Sequence, residues 1–157
     1  MSNKIVVIRI RGDCGLDKTR KESLRRLRLF KKNSCIVLTN AKNLPGILFK
    51  LKDQVTWGEI DEPTFKTLLE KRGKLPGNKK LTEDYLKEKT KLDIVSFSKE
   101  FFGGKKTLKD IPGLKLYFRL SPPVSGFERK GVKKPFSQGG VTGYRKEKIN
   151  DLIKRMI

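Results

Sequence analysis

Lys18, Lys21, Arg25, Arg28 and Lys32 recur at intervals of three and four residues, with Arg20 among them. Spaced that way on a helix they make a stripe of cations, and the chemistry open to such a stripe is the neutralisation of phosphates. Further along, Arg129, Lys130, Lys133, Lys134 and Arg145 are interleaved with Phe127, Phe136 and Tyr144. That mixture suits an unpaired nucleic acid strand, because cations follow the backbone while rings offer faces to bases. Covalent chemistry is poorly supplied. The chain has no histidine, which removes the commonest general base and metal ligand, and Cys14 and Cys35 are too few for a zinc cluster. The pairs Asp61-Glu62 and Glu83-Asp84 read as acids at helix N-termini, favoured by the dipole, more simply than as the clustered carboxylates of a nuclease. Neither G-x-x-x-x-G-K-[ST] nor G-x-G-x-x-G occurs. The expectation is a binding protein with no cofactor, no metal and no small-molecule substrate, and not an enzyme.

The charge balance points the same way. Thirty-eight lysines and arginines against 17 acids give a formal net charge of +21 over 157 residues. Such an excess repels itself in the compact state, and a phosphate polyanion is the partner that relieves the repulsion. Within the first stripe the single acid is Glu22. No apolar run approaches the roughly 20 residues that span a bilayer. Residues 1–11 read as a short Ile/Val strand flanked by Lys4, Arg9 and Arg11, without the longer apolar segment of an export signal, so a cytoplasmic protein with no membrane contact is expected.

Elements to position these groups follow from periodicity. Residues 4–11 (KIVVIRIR) alternate, with Val6, Ile8 and Ile10 on one face and Ile5, Val7, Arg9 and Arg11 on the other, as in a half-covered strand. Arg9 and Arg11 join the candidate RNA contacts. Asp17 is placed to cap a helix to about Leu29, with Leu16, Leu24, Leu27 and Phe30 on its apolar side. A second strand over residues 35–40, with Cys35 in its core, leads to a helix begun by Pro45-Gly46 and carrying Ile47, Leu48 and Leu51. A third strand spans residues 55–60. This β-α-β-α-β order implies two helices on one face of a small sheet, and the other face needs its own cover.

Residues 61–112 read as a helical insertion. Pro63 stands in the first turn of a helix with Phe65, Leu68 and Leu69, Thr82 caps a second, and Asp93 opens a third with Ile94, Phe97 and Phe101, stopped by Gly103-Gly104. In residues 114–120, Leu114, Leu116, Phe118 and Leu120 alternate with polar neighbours, which predicts a fourth strand. Residues 121–145 are rich in proline, glycine and cations and predict an extended basic loop without fixed structure until RNA supplies counter-charge. Ile149, Leu152, Ile153 and Met156 predict a closing amphipathic helix. The class is therefore α+β, with a β-α-β-α-β RNA-binding core over residues 1–60, the insertion over 61–112, and a strand, loop and helix over 113–157.

Several segments carry a resemblance: IVVIRIRGDCGLDKTRKESLRRLRL near the start, Trp57-Gly58-Glu59, RLSPP at residues 119–123, and the closing GGVTGYRKEKINDLIKRMI. Together they resemble the large-subunit ribosomal protein family numbered thirty in bacteria and seven in eukaryotes. The insertion, the Ser-Pro-Pro turn and the ending are similar to the archaeal and eukaryotic branch, and the lack of a long basic N-terminal extension looks archaeal. The family implies a three-one-two antiparallel core with two helices on one face, similar to a truncated ferredoxin-like fold. It also implies a structural constituent of the large ribosomal subunit that packs large-subunit ribosomal RNA near the five-S RNA, beside neighbouring ribosomal proteins. Lys18, Arg20, Lys21, Arg25 and Arg28 match its basic first helix, and residues 129–134 its basic loop. Pro45 stands where many relatives carry a basic residue, so a phosphate contact at that turn is not expected. A free RNA chaperone or translational regulator would use the same basic surface and is the alternative.

Overall fold

The computed structural model describes residues 4–157, so the part of the expected strand and of the export-signal reading that falls on residues 1–3 lies outside the described residues. β1 (Lys4–Arg9), α1 (Lys18–Arg26), β2 (Ser34–Thr39), α2 (Leu44–Lys50) and β3 (Val55–Glu59) build the core in the expected order. β2 and β3 both run antiparallel to β1, with Val6 opposite Val37 on one side and Gly58 on the other. There follow α3 (Glu62–Arg72), α4 (Glu83–Thr90), α5 (Ile94–Phe102), β4 (Phe118–Arg119), β5 (Gly143–Tyr144) and α6 (Ile149–Met156). The sheet runs β4-β2-β1-β3-β5: its three-strand core is antiparallel as expected, and β5, a strand not foreseen, pairs parallel with β3 and makes the whole sheet mixed.

β1 is buried along its whole length, which corrects the half-covered strand. Ile5 and Val7 face a cluster with Leu24, Leu29, Leu44 and Leu48, supplied by α1, α2 and the chain between them. Val6 and Ile8 face a larger cluster that includes Phe65, Leu68, Phe97, Phe101, Leu152 and Ile153. The second face thus finds its cover in α3, α5 and α6, each laying an apolar stripe on the sheet, and Phe65 stacks on Phe101 with centroids 4.5 Å apart.

Element ends differ from expectation for local reasons. β1 stops at Arg9 because the N–H groups of Ile10 and Arg11 both donate to the Gln54 carbonyl, leaving the ladder. α1 stops at Arg26, and Arg28 adopts a left-handed φ of 57°. The Asp17 side chain makes no cap hydrogen bond, whereas that of Thr82 accepts from the Tyr85 N–H at 3.4 Å. The expected strand over 114–120 pairs only at Phe118 and Arg119, opposite Cys35 and Ser34. Upstream, Lys115 N–H donates to the Lys74 carbonyl instead, although Leu114, Phe118 and Leu120 do share the buried face that their alternation predicted. Among the described residues, nothing pairs with β2 at residues 36–39 on its outer side. A groove of about 400 Å³ lies there, lined by Leu27, Leu38 and Leu116 and rimmed by Arg26, Arg28 and Lys109.

Two contacts lock the C-terminal end onto β3. A Cβ on Gly58 would lie 2.1 Å from the Lys146 carbonyl oxygen, so only glycine admits the chain so close. Asn150, buried at the start of α6, donates to the carbonyls of Glu59 (3.1 Å) and Glu147 (2.9 Å) and accepts from the Asp61 N–H (3.1 Å).

Candidate nucleic-acid interface

α1 buries Leu24 and turns Lys18, Arg20, Lys21 and Arg25 to solvent. Its first turn holds no acid, so cations gather at the end where the helix dipole is already positive. Glu22 does not relieve them, because its carboxylate pairs with Arg26 at 2.7 Å. Arg28 and Lys32 are also exposed, but they lie past the end of the helix and so do not continue the stripe as the spacing predicted.

Arg9 has a different role from the one expected of it. Its guanidinium is buried and donates to the carbonyls of Leu29 (2.9 Å), Phe30 (3.0 Å) and Arg11 (2.9 Å) and to Asp13 at 2.6 Å. It pins the chain leaving α1 onto the sheet, and to meet a phosphate it would have to abandon those acceptors. The hydrogen bond from Arg9, then its charge, holds the Asp13 carboxyl below the usual range, with smaller contributions from Lys21 and Arg25. Arg11, half-buried beside it, donates its N–H to Gln54.

Residues 121–145 are tied down along their length, where a loop anchored at its ends and without fixed structure between them was expected. Ser121 and Val124 N–H groups donate to the carbonyls of Met156 and Arg155, and the Val141 N–H returns to the Lys134 carbonyl at 3.0 Å. Phe127 and Val132 pack against the larger cluster, so Phe127 serves as an anchor and not as a free stacking face. Arg145 is buried. It forks onto Glu128, with Nη2 to Oε2 at 2.9 Å, and also donates to Thr56 Oγ1 and the Val141 carbonyl. Burial pushes the Glu128 carboxyl up, but the Arg145 hydrogen bonds and charge outweigh it and the net value lies below the ordinary 4.5. Arg9 and Arg145 therefore stabilise the fold from within, and neither projects from the surface.

What the segment does present is Arg129, Lys130, Lys133 and Lys134, all exposed. Among the described residues none of these four, and none of Lys18, Arg20, Lys21, Arg25, Arg28 and Lys32, enters an ion pair. Phe136 is half-buried beneath the Arg145 guanidinium, 4.6 Å from its ring centre. Tyr144 is exposed and donates its hydroxyl to Glu59, which pushes the phenol up to about 12, with burial and the charges of Glu59 and Glu147 adding. Its ring lies 6.3 Å from that of Trp57 on the neighbouring strand. Glu128, Glu59, Trp57 and Asn150 were not picked out for these roles from sequence. Glu128 left one signal, as the only acid within residues 121–145.

Cys35 is buried, as its place in an apolar strand predicted, and burial pushes its thiol up. Among the described residues no three acidic or sulfur side chains group to hold a metal, and no helix is long and apolar enough to cross a membrane.

This arrangement defines a class of protein, a small, strongly basic α+β protein that carries unpaired cations on its surface among the described residues. Comparison with protein-family models gives no match. Among curated proteins, the chain is 44% identical over 151 residues to large ribosomal subunit protein uL30 of Methanococcus maripaludis (strain C5), covering 96% of this chain and 97% of that one. It is 44% identical over 151 residues to the uL30 protein of Nanoarchaeum equitans, with the same coverage, and 42% identical over 149 residues to that of Methanopyrus kandleri, covering 94% of this chain and all of that one. The chain belongs to the uL30 family of large ribosomal subunit proteins, and it is a structural constituent and not an enzyme.

Proposed function

We propose that the chain packs large-subunit ribosomal RNA in the cytoplasmic ribosome, holding phosphates with the outer face of α1 and with the cations at residues 129–134. The observation that carries this is the absence of ion-pair partners for those cations among the described residues, in a chain of net charge +21. Phosphates supply the missing counter-charge, and release of their condensed ions supplies affinity. Arg20, Arg28 and Lys32 add to the first set, and Arg11 borders it. Neighbouring ribosomal proteins and the vicinity of the five-S RNA belong to the same reading, and cross-linking within the intact subunit locates both.

The test is the salt dependence of binding to large-subunit ribosomal RNA fragments. Each neutralised phosphate contributes a log-log slope of roughly 0.9 on duplex DNA and about 0.7 on single strands. Affinity is expected to fall steeply between low and moderate salt, and a flat profile would overturn the electrostatic account. Retention on large subunits through a high-salt wash separates a built-in constituent from a free RNA chaperone or regulator, which would be stripped.

A further inference from the structure

On the side of the sheet where β5 meets β3 there is a groove of about 1190 Å³ that the phosphate-binding cations do not line. Its walls are unusual for so basic a chain. Three carboxylates, Glu59, Asp61 and Glu147, line it together with Lys146 and Lys148. Arg145 and two aromatic rings, Phe136 and the exposed Tyr144, line it as well. Its three carboxylates offset three cations, so the groove lacks the uncompensated positive charge of the outer face of α1. Carboxylates accept hydrogen bonds and cannot donate them when ionised, which selects a ligand with N–H groups.

Glu59 adds a second observation. One of its oxygens accepts from the Tyr144 hydroxyl, while the other, Oε2, is shut off from solvent and has no hydrogen-bond partner among the described residues. A buried charged acceptor left unpaired is costly, and a donor arriving from the groove offsets that cost. The terminal torsion of a glutamate is soft, so the carboxylate of Glu59, which lines the groove, can reorient to meet a donor there. Asp61, at the N-terminus of α3, makes no side-chain cap hydrogen bond and is also left to accept.

We propose that this groove takes one unpaired guanine of the RNA, stacked on Tyr144 with its Watson–Crick edge toward Glu59 and Asp61. Guanine presents two neighbouring donors on that edge, N1–H and the N2 amine, and a carboxylate accepts both. Adenine and cytosine each place an acceptor beside their amine, and uracil offers a single N–H. Lys146 and Lys148 at the rim meet the flanking phosphates. The same lysines disfavour the other candidate occupant, a cationic tail of a neighbouring protein. The inference rests on the RNA-binding reading above but adds a base-specific site to it.

Uridine hexamers carrying one central guanine, inosine, adenine or cytosine test it, since all have equal length and charge. The guanine hexamer is expected to bind at least about fivefold more tightly than those with adenine or cytosine, the lower end of what a bidentate base contact discriminates. Inosine, which lacks the N2 amine, falls between. Glu59→Gln keeps an oxygen for Tyr144 and replaces the other acceptor with a donor, so the preference for guanine over adenine and cytosine is expected to vanish. Equal affinity for every hexamer, alongside normal salt-dependent binding of ribosomal RNA fragments, would overturn the guanine site and leave the general reading standing. A guanine preference that survives in Glu59→Gln would place recognition elsewhere and overturn it too. Capture of a lysine-rich peptide in place of the hexamers would assign the groove to a protein tail. Loss of all RNA binding by the wild type would overturn both readings.

Discussion

Arg145 reaches back seventeen residues to fork its guanidinium onto both carboxylate oxygens of Glu128, closing the basic segment into a tied loop. A planar guanidinium suits this work because its donors match a carboxylate pairwise and leave Nε for Thr56. Substituting Glu128→Gln leaves a buried cation with half its fork. Because Glu128 keeps 23% exposure, the expected loss is about 1.5–3 kcal/mol, the range for hydrogen bonds to charged groups, and less than a fully buried pair would show. The urea midpoint measures it, and an unchanged midpoint would show that the clamp adds no stability.

The same carboxyl sets an acid limit. Its folded value lies below the ordinary 4.5, so the folded state holds the ionised form more tightly than the unfolded chain does. The stabilisation is fully present above the unfolded value and is lost as pH falls from about 4.5 through the folded value. Asp13, held down by Arg9, adds in the same direction. Urea midpoints measured from pH 6 to about 3 should drop for the wild type and drop less for Glu128→Gln.

Cutting by trypsin reads the loop directly. Arg129, Lys130, Lys133 and Lys134 are exposed, but the backbone around them is held by the Lys134 carbonyl and by Arg145. Slow cleavage at these sites is expected in the free wild-type protein and several-fold faster cleavage in Glu128→Gln. Equal rates would mean that the clamp does not hold the loop closed.

Two glycines should respond with opposite signs. Gly58→Ala drives a methyl group to within 2.1 Å of the Lys146 carbonyl oxygen and 3.0 Å of Ile149, and overpacking of this kind costs about 1–3 kcal/mol. Gly46, inside α2 with open space around its Cα and no left-handed φ, should gain about 0.4–1 kcal/mol as alanine. Thermal melts of the two variants test the pair, and the same sign for both would refute the account.

Charge reversal at Lys21 and Arg25 tests the outer face of α1. Both side chains are exposed and off the Leu24 side, so the double substitution to Glu should leave the circular dichroism spectrum near that of the wild type and weaken RNA binding more than tenfold. Unchanged binding by the folded variant would return the stripe to an ordinary solvated surface.

What sequence could and could not reveal divides along a physical line. Alternation placed Val6 and Ile8 on one face and Ile5 and Val7 on the other, and helical spacing found Leu24 and Ile153, because burial imposes a period on apolar residues. The same period misled at residues 114–120, where it named the buried face correctly but could not show that Lys115 turns away to Lys74. Cations have no such period. Arg9 and Arg25 are alike in a string of letters, and only the carbonyls of Leu29 and Phe30 around one of them separate a buried strut from a surface charge. Disorder was expected of residues 121–145 because composition cannot show a long-range pair such as Glu128 with Arg145.

The open side of β2 bears on the life of the chain before assembly. An unpaired strand edge beside an apolar groove is a template for another copy, and proteins with such edges need something to keep copies apart. Here mutual repulsion between molecules of charge +21 does so, with Arg26, Arg28 and Lys109 standing at the groove itself. A polyanion that cancels this repulsion without seating the chain would remove the safeguard. Solubility is therefore greatest when the protein is alone or fully engaged, and turbidity should peak at intermediate ratios of non-cognate RNA to protein.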